Sequence, residues 1–216
     1  MTSFDLFSIG HSNISAERFI AMLHSAGVAA VADVRSTPVS RFCPWFSAKN
    51  LAPLLGRSGV RYSAYGDALG GRPRDAELYR AGVADYEAMA RQPNFEAGLQ
   101  RLMSDAARCR GSGVVCLMCS EREPLDCHRC LLVARALALR GLAVGHIHHD
   151  GAIEPHAATE QRLLALDGND DDLFVTGGSL ETRLGERLAA AYRRRARAIA
   201  YRAKSGRSGA GAKAER

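Results

Sequence analysis

Residues 114–136 read VVCLMCSEREPLDCHRCLLVARA, and this stretch decides the fold. Val114–Cys119 is a short, wholly apolar run of the kind that forms a buried strand. Ser120 to Asp126 is charged and carries Pro124, so the chain must turn there. From His128 to Arg140, Leu, Ala and Arg recur at helical spacing. A strand that feeds a charged turn and then a helix is one half of a parallel βαβ unit. Cys127 and His128 fall at the start of that helix, where free backbone N–H groups and a partial positive charge lower a thiol pKa and bind anions. With Arg129 next and Cys119 across the turn, the place suits a thiolate or a phosphate. The plainer reading is that Cys127 and Cys130 are small buried residues packing the helix on the sheet.

The same stretch spells Cys116-x2-Cys119 and Cys127-x2-Cys130, which invites a zinc site. Positions three apart in a strand point to opposite faces, so Cys116 and Cys119 cannot both reach one ion. The spacer between the pairs is also shorter than the usual 15–20 or so residues, and no Gly shapes a knuckle. No cofactor is therefore expected and zinc is disfavoured, although a smaller site of Cys119, Cys127 and a His from the 146–149 cluster stays open. A phosphatase-type loop, Cys followed six positions on by Arg, is absent because Leu125 stands at that place. Ala32-Asp33-Val34-Arg35 echoes the strand-end Asp-x-Arg of sulfurtransferase folds.

Working outward, strand-like clusters occur at Phe4–Ile9, Val28–Val34, Val60–Tyr65 and Leu142–Ile147, bounded by Gly, Ser or Asp. Helical patterns lie at roughly Ala16–Ala26, Ser47–Arg57, Tyr79–Arg91 and Asn94–Arg108, with Ser15 placed as an N-cap. The alternation predicts an α/β fold, a single domain with a mainly parallel sheet flanked by helices on both faces, plus a basic C-terminal helical and disordered tail. The α/β domain is expected over residues 1–175, a linker over 176–183, the basic helix over 184–204 and the disordered tail over 205–216.

In such folds ligands bind beyond the carboxyl ends of the strands. There the sequence offers Gly10-His11-Ser12-Asn13, Asp33 to Pro38, Gly66-Asp67, Cys119 to Pro124 and His146 to Asp150, every one polar or titratable. The long stretches Ser36–Phe46 and Gly66–Glu77 are of a length more often functional than idle.

Composition narrows the class. Of 216 residues 47% are apolar, enough for a core that needs neither disulfides nor metal. No run approaches the 18 or so apolar residues of a membrane span. The opening MTSFDLFSIG has no basic region and no cleavage site, so cytoplasmic residence is expected, and the six cysteines read as thiols rather than a disulfide framework. The net charge of +6 is uneven: Tyr192 to Arg216 carries nine Arg or Lys against one Glu, leaving a body slightly acidic and the excess in an appendage. That segment reads either as an arm that gathers phosphate-rich partners such as nucleic acid by counterion release, or as a solvated helix in an Arg-rich chain.

SIGHS near the start, ADVRSTPVSR, LGGR at Leu69–Arg72 and LMCSEREPLDCHR together resemble the bacterial family catalogued as domain of unknown function 488. The resemblance runs from about Phe7 to Phe174. It implies a single α/β domain with signature residues Gly10, His11, Ser12, Asp33, Arg35, Pro38, Arg41, Gly70, Gly71, Arg72, Cys119, Glu121, Cys127, His128 and Arg129. It implies no reaction. Ser120 departs from the Ala more usual in similar proteins.

The leading expectation is an enzyme, a cysteine-dependent hydrolase or transferase, acting on a phosphate-bearing small molecule, nucleotide or nucleic-acid component. Arg35, Arg41, Arg72 and Arg129, with Ser12, would bind the anion through bidentate donors. Cys127 or Cys119 would be the nucleophile, His128 or His11 the general acid or base, and Asp33 or Glu121 the group that orients it. Trp45, Phe46, Tyr62 and Tyr65 could stack a base. The rival is a non-catalytic nucleotide or nucleic-acid binding module whose cysteines pack or sense redox state. A further alternative is a metal-dependent hydrolase built from His146, His148, His149, Asp150 and a Cys, and Asp170–Asp172 invites a magnesium assignment that a solvated acidic loop explains as well.

Overall fold

The computed structural model describes residues 3–168 and 179–203. A six-stranded sheet runs in the order β3-β2-β6-β1-β7-β8, in which β1 (Leu6–Gly10), β2 (Val28–Asp33), β3 (Arg61–Ala64), β6 (Val114–Cys119) and β7 (Val144–Ile147) are parallel. The edge strand β8 (Ile153–Pro155) pairs antiparallel with β7. It is too short, and too close to Pro155, to show an alternation in the sequence.

The alternation of β6 separates the two faces. Cys116 and Met118 join Phe7, Ile9 and Val31 under α1 (Ala16–Ser25) and α2 (Ala48–Arg57), which contribute Phe19, Leu23, Leu51 and Leu55. Val115, Leu117 and Cys119 face the other way, toward Leu99 and Leu102 of α5 (Pro93–Cys109) and the helix that follows residue 128. Cys116 and Cys119 therefore do lie on opposite faces, as period-two geometry requires. Ser15 caps α1, its hydroxyl accepting from Arg18 N.

The helical pattern expected over Tyr79–Arg91 is broken. It forms a hairpin, β4 (Tyr79–Arg80) and β5 (Val83–Ala84), turned by Ala81 and Gly82, both at positive φ, before α4 (Tyr86–Ala90) starts at the Asp85 cap. A tight turn needing left-handed backbone wins over helical periodicity at that point. The helix expected from His128 opens as a π-helical turn over Arg129–Ala134 and closes as α6 (Arg135–Ala138). After α3 (Gly66–Leu69) and the elements above, α7 (His156–Asp167) and α8 (Leu180–Ile199) complete the face opposite α1.

The appendage reading is corrected by α8. Tyr192 is 2% exposed in the main core, and Arg193, Arg194 and Arg195 pair with Glu87, Asp167 and Asp126 of the body. Beyond α8 the chain adds a strand-like contact to the hairpin, with Ala84 N donating to Tyr201 O and Ala203 N to Gly82 O. Three of the nine bases in this segment thus serve docking, because the acids that balance them lie elsewhere in the chain. Residues 176–178 of the expected linker, the tail over 205–216, Asp170–Asp172 and Phe174 lie outside the described residues. No helix among the described residues is long and apolar enough to cross a membrane.

Candidate functional site

Register brings the strand ends together. Gly10 pairs with Cys119 and Asp33 with Met118, and His11 N and Ser12 N continue the ladder onto the carbonyls of Cys119 and Ser120. Gly10 must be glycine: a Cβ there would stand 1.7 Å from Glu121 O.

Past β6 the chain folds back through a short turn, Pro124–Asp126, so that Cys127 returns beside Cys119. Glu121 Oε2 lies 3.0 Å from both sulfurs. His128 Nδ1 faces the same pair, 3.7 Å from Cys119 Sγ and 3.9 Å from Cys127 Sγ. Its other nitrogen, Nε2, is 2.9 Å from Val34 O, and a carbonyl can only accept, so Nε2 carries a proton. Nδ1 faces the sulfurs, bare in the neutral ring and a donor when the ring is charged, a form that burial opposes and the Cys127 thiolate favours, raising the His128 pKa on balance. Gly71 packs flat on this ring, where a Cβ would come within 2.7 Å of Cγ.

Electrostatics divide the two thiols. Burial raises Cys119, and its neighbours Cys127 and Glu121 raise it further. Burial also pushes Cys127 up, yet the hydrogen bond with Cys119 and the charge of Arg129, together with His128, outweigh it and hold this thiol below its ordinary range. Arg129 N–H reaches Cys127 Sγ at 3.4 Å, as expected at a helix start. Glu121 is raised by burial and by Cys127.

These groups line a cavity of about 210 Å3 whose wall includes Arg35, Ser36, Thr37, Gly71, Arg72 and Tyr86, with Tyr201 from beyond α8. Arg72 is exposed and stacks on the Tyr201 ring, 4.8 Å from its centroid. Neither Tyr86 nor Tyr201 stands out in the sequence; only the docking of α8 and the hairpin brings them here. A roomier cavity of about 360 Å3 shares Tyr86 and is lined by Arg80, Arg135, Arg193, Arg197 and Arg202, together with Asp85 and Glu87, which pair with Arg80 and Arg193.

Several expected site residues serve elsewhere. Arg129 is wholly buried and donates to Glu121 O at 2.5 Å and Arg122 O at 3.0 Å, so it staples the turn rather than greeting a ligand. Asp33 grips Arg35 with two oxygens, at 2.8 and 2.6 Å, and accepts from Tyr62; it does not orient His128. His11 has both nitrogens occupied, Nδ1 by Ser12 O and Nε2 by Arg35, and stacks on Phe46 at 4.1 Å, so it positions Arg35. Ser12 lends its backbone, in the left-handed region at φ 46°. Arg41 stands exposed on its loop. Of the aromatics expected to stack a base, Trp45 bonds Ile14 O, Tyr65 bonds Asp105, and Phe46 is core.

The histidines expected to gather a metal with Asp150 diverge. His149 Nε2 holds Gly10 O at 2.8 Å and His148 pairs with Glu154. His146 enters a buried chain that runs from Ser8 (2.6 Å) through His146 and His156 (2.9 Å) to Tyr192 (3.0 Å) and Glu160 (2.9 Å). Cys130 stands 3.9 Å from His146 Nε2. The zinc arrangement that pairs Cys119 and Cys127 with a His of the 146–149 cluster is corrected too: the imidazole beside those thiols is His128.

No curated protein matches the chain, and no solved structure does. A family model, Domain of unknown function DUF488, matches residues 15–136, a narrower span than the motifs from Phe7 to Phe174. That match covers more than half of the 216 residues, and the chain belongs to this family.

Proposed function

We propose that the chain is an enzyme, a hydrolase or transferase, that acts on a phosphate-bearing small molecule or nucleic-acid component in the cavity at the carboxyl edge of the sheet. The observation that carries this reading is the pairing of a reactive floor with an anion-seeking wall. Cys119, Cys127, His128 and Glu121 meet beneath Arg72 and Arg35 in one cavity of about 210 Å3. The floor supplies groups able to break a bond and hold the proton, and the wall supplies the guanidinium that recognises phosphate. Arg35 is fixed by His11 and by Asp33, which balances its charge, so Arg72, exposed and resting on the Tyr201 ring, is the cation offered to a ligand. Tyr86 and Tyr201 border the cavity, Tyr201 with the Arg72 guanidinium on its ring. In the neighbouring cavity, where Arg80 and Arg193 are balanced by Asp85 and Glu87, Arg135, Arg197 and Arg202 are the cations that suit a longer phosphate chain.

The test is to screen the full chain, purified without chelator, for binding of inorganic phosphate and for turnover of phosphomonoesters, phosphodiesters and nucleotides. Binding is expected to weaken about tenfold in Arg72→Ala, with Arg41→Ala unchanged. Absence of both binding and turnover across the panel sinks the reading.

A further inference from the structure

We infer that Cys119, Cys127 and His128 form a site for a zinc-class divalent cation, whose remaining coordination position opens into the cavity. This deepens the reading of the cavity as a reactive centre and rests on it for the metal's role; the site itself stands on geometry.

The three ligand atoms lie within 4.8 Å of one another. The separations from His128 Nδ1 to the two sulfurs are 3.7 and 3.9 Å. A tetrahedral zinc, with bonds of about 2.3 Å to sulfur and about 2.0 Å to nitrogen, sets such atoms about 3.5 Å apart, so small side-chain shifts suffice. The supporting contacts are those that metal-ligating groups have. His128 donates Nε2–H to Val34 O, which leaves Nδ1 bare in the neutral ring. The Arg129 backbone N–H meets Cys127 Sγ. Gly71 holds the imidazole plane by close approach. Two sulfurs and an imidazole select zinc or its cobalt analogue over magnesium or calcium.

Three protein ligands with an open position are the pattern of a catalytic rather than a structural site. Cys119, Cys127 and His128 all border the cavity, as does Glu121, which touches both sulfurs and is the carboxylate placed to take a proton from a bound water. Binding converts two thiols to thiolates, and any thiol protons leave to solvent. The thiols then act as ligands, and the nucleophile expected from the sequence becomes metal-bound water instead. The second group with ligand spacing, Cys130, His146 and His156, is a weaker candidate, since its two ring nitrogens are 2.9 Å apart and engaged with each other.

The test is elemental analysis of the full chain purified under reducing conditions without chelator, followed by cobalt loading of the stripped protein. One equivalent of zinc and a sulfur-to-cobalt charge-transfer band are expected. Cys119→Ser and Cys127→Ser should each lower affinity by roughly 100-fold or more, while Cys116→Ser and Cys130→Ser leave it unchanged. Circular dichroism of each variant distinguishes a lost ligand from a lost fold, and His128→Gln provides a second probe if a Ser variant unfolds. Substoichiometric metal with no cobalt band overturns the inference, as does a loss produced equally by Cys130→Ser. Metal binding without phosphate binding or turnover defeats the functional reading alone; turnover in metal-free protein defeats the metal's catalytic role, and absence of the cobalt band defeats the site.

Discussion

Two clusters of cysteine and histidine are buried on the same face of the sheet, and they are finished differently. In the chain from Ser8 to Glu160 a single assignment of hydrogens lets every group donate in one direction: Ser8 to His146, His146 to His156, His156 to Tyr192, Tyr192 to Glu160. Nothing is left over, so the cluster behaves as a polar piece of the core. Around His128 the same residue types leave an imidazole nitrogen facing two sulfurs at the edge of a cavity. What separates structure from chemistry here is whether the last group in the network meets protein or open space.

The largest effect expected of a single substitution tests the closed cluster. Tyr192→Ala removes a buried ring and the hydroxyl between His156 and Glu160, and should cost about 3–5 kcal/mol in urea unfolding. Tyr192→Phe should cost about 1–3 kcal/mol, the share of the hydroxyl alone. Equal, small losses for both would show that the chain is not part of the core's stability.

Acid comes next and acts on both regions. Burial, with Arg35 adding and the Ser12 bond opposing, lowers His11 to about 4. Burial and then Arg135 do the same for His156, also to about 4. Between those values and the ordinary 6.5 the unfolded chain takes up protons that the folded one refuses, so stability is complete above pH 6.5 and lost as pH falls toward 4. Each ring contributes roughly 3 kcal/mol of that loss. A denaturation midpoint that stays flat from pH 7 to 4.5 would mean these rings are charged in the fold.

A smaller change in stability should single out the open cluster. Gly71→Ala drives a Cβ into the His128 ring, at an expected cost of about 1–3 kcal/mol. Its mark should be loss of cobalt binding, with the acid profile set by His156 retained. Unaltered cobalt binding would free the ring from the packing argued above.

Smallest in stability, Tyr201→Ala should cost under about 1 kcal/mol, since this side chain is half-buried. It should still weaken binding of phosphate or nucleotide, because Tyr201 walls the cavity and supports Arg72. Calorimetry that finds unchanged affinity would remove Tyr201 from the binding wall and leave the segment beyond α8 with its docking to the hairpin alone.

The elements were legible wherever one residue's neighbours along the chain carry the signal. β6 is bounded by residue as its apolar run indicates, and α1 starts just after Ser15 because a hydroxyl there satisfies a free N–H of the first turn, that of Arg18. The hairpin at Tyr79–Ala84 was hidden, since its turn uses Ala81 in a conformation that sequence gives no reason to expect of alanine. Among candidate site residues, Cys119, Glu121, Cys127 and His128 could be marked from the turn they flank. Arg129 could not be told from a ligand-binding arginine, because its partners are backbone carbonyls, which every residue possesses.

By itself the sequence determined the alternation of strand and helix, the opposite facing of Cys116 and Cys119, and the turn that returns Cys127 toward Cys119. These follow from period and spacing, which are local. Only the tertiary structure decided that His128 and not a later histidine joins those thiols, that Asp33 holds Arg35, and that Tyr201 closes the cavity over them. Such contacts depend on strand register and on how helices dock, sums over many residues distant in the chain, so no single stretch carries them.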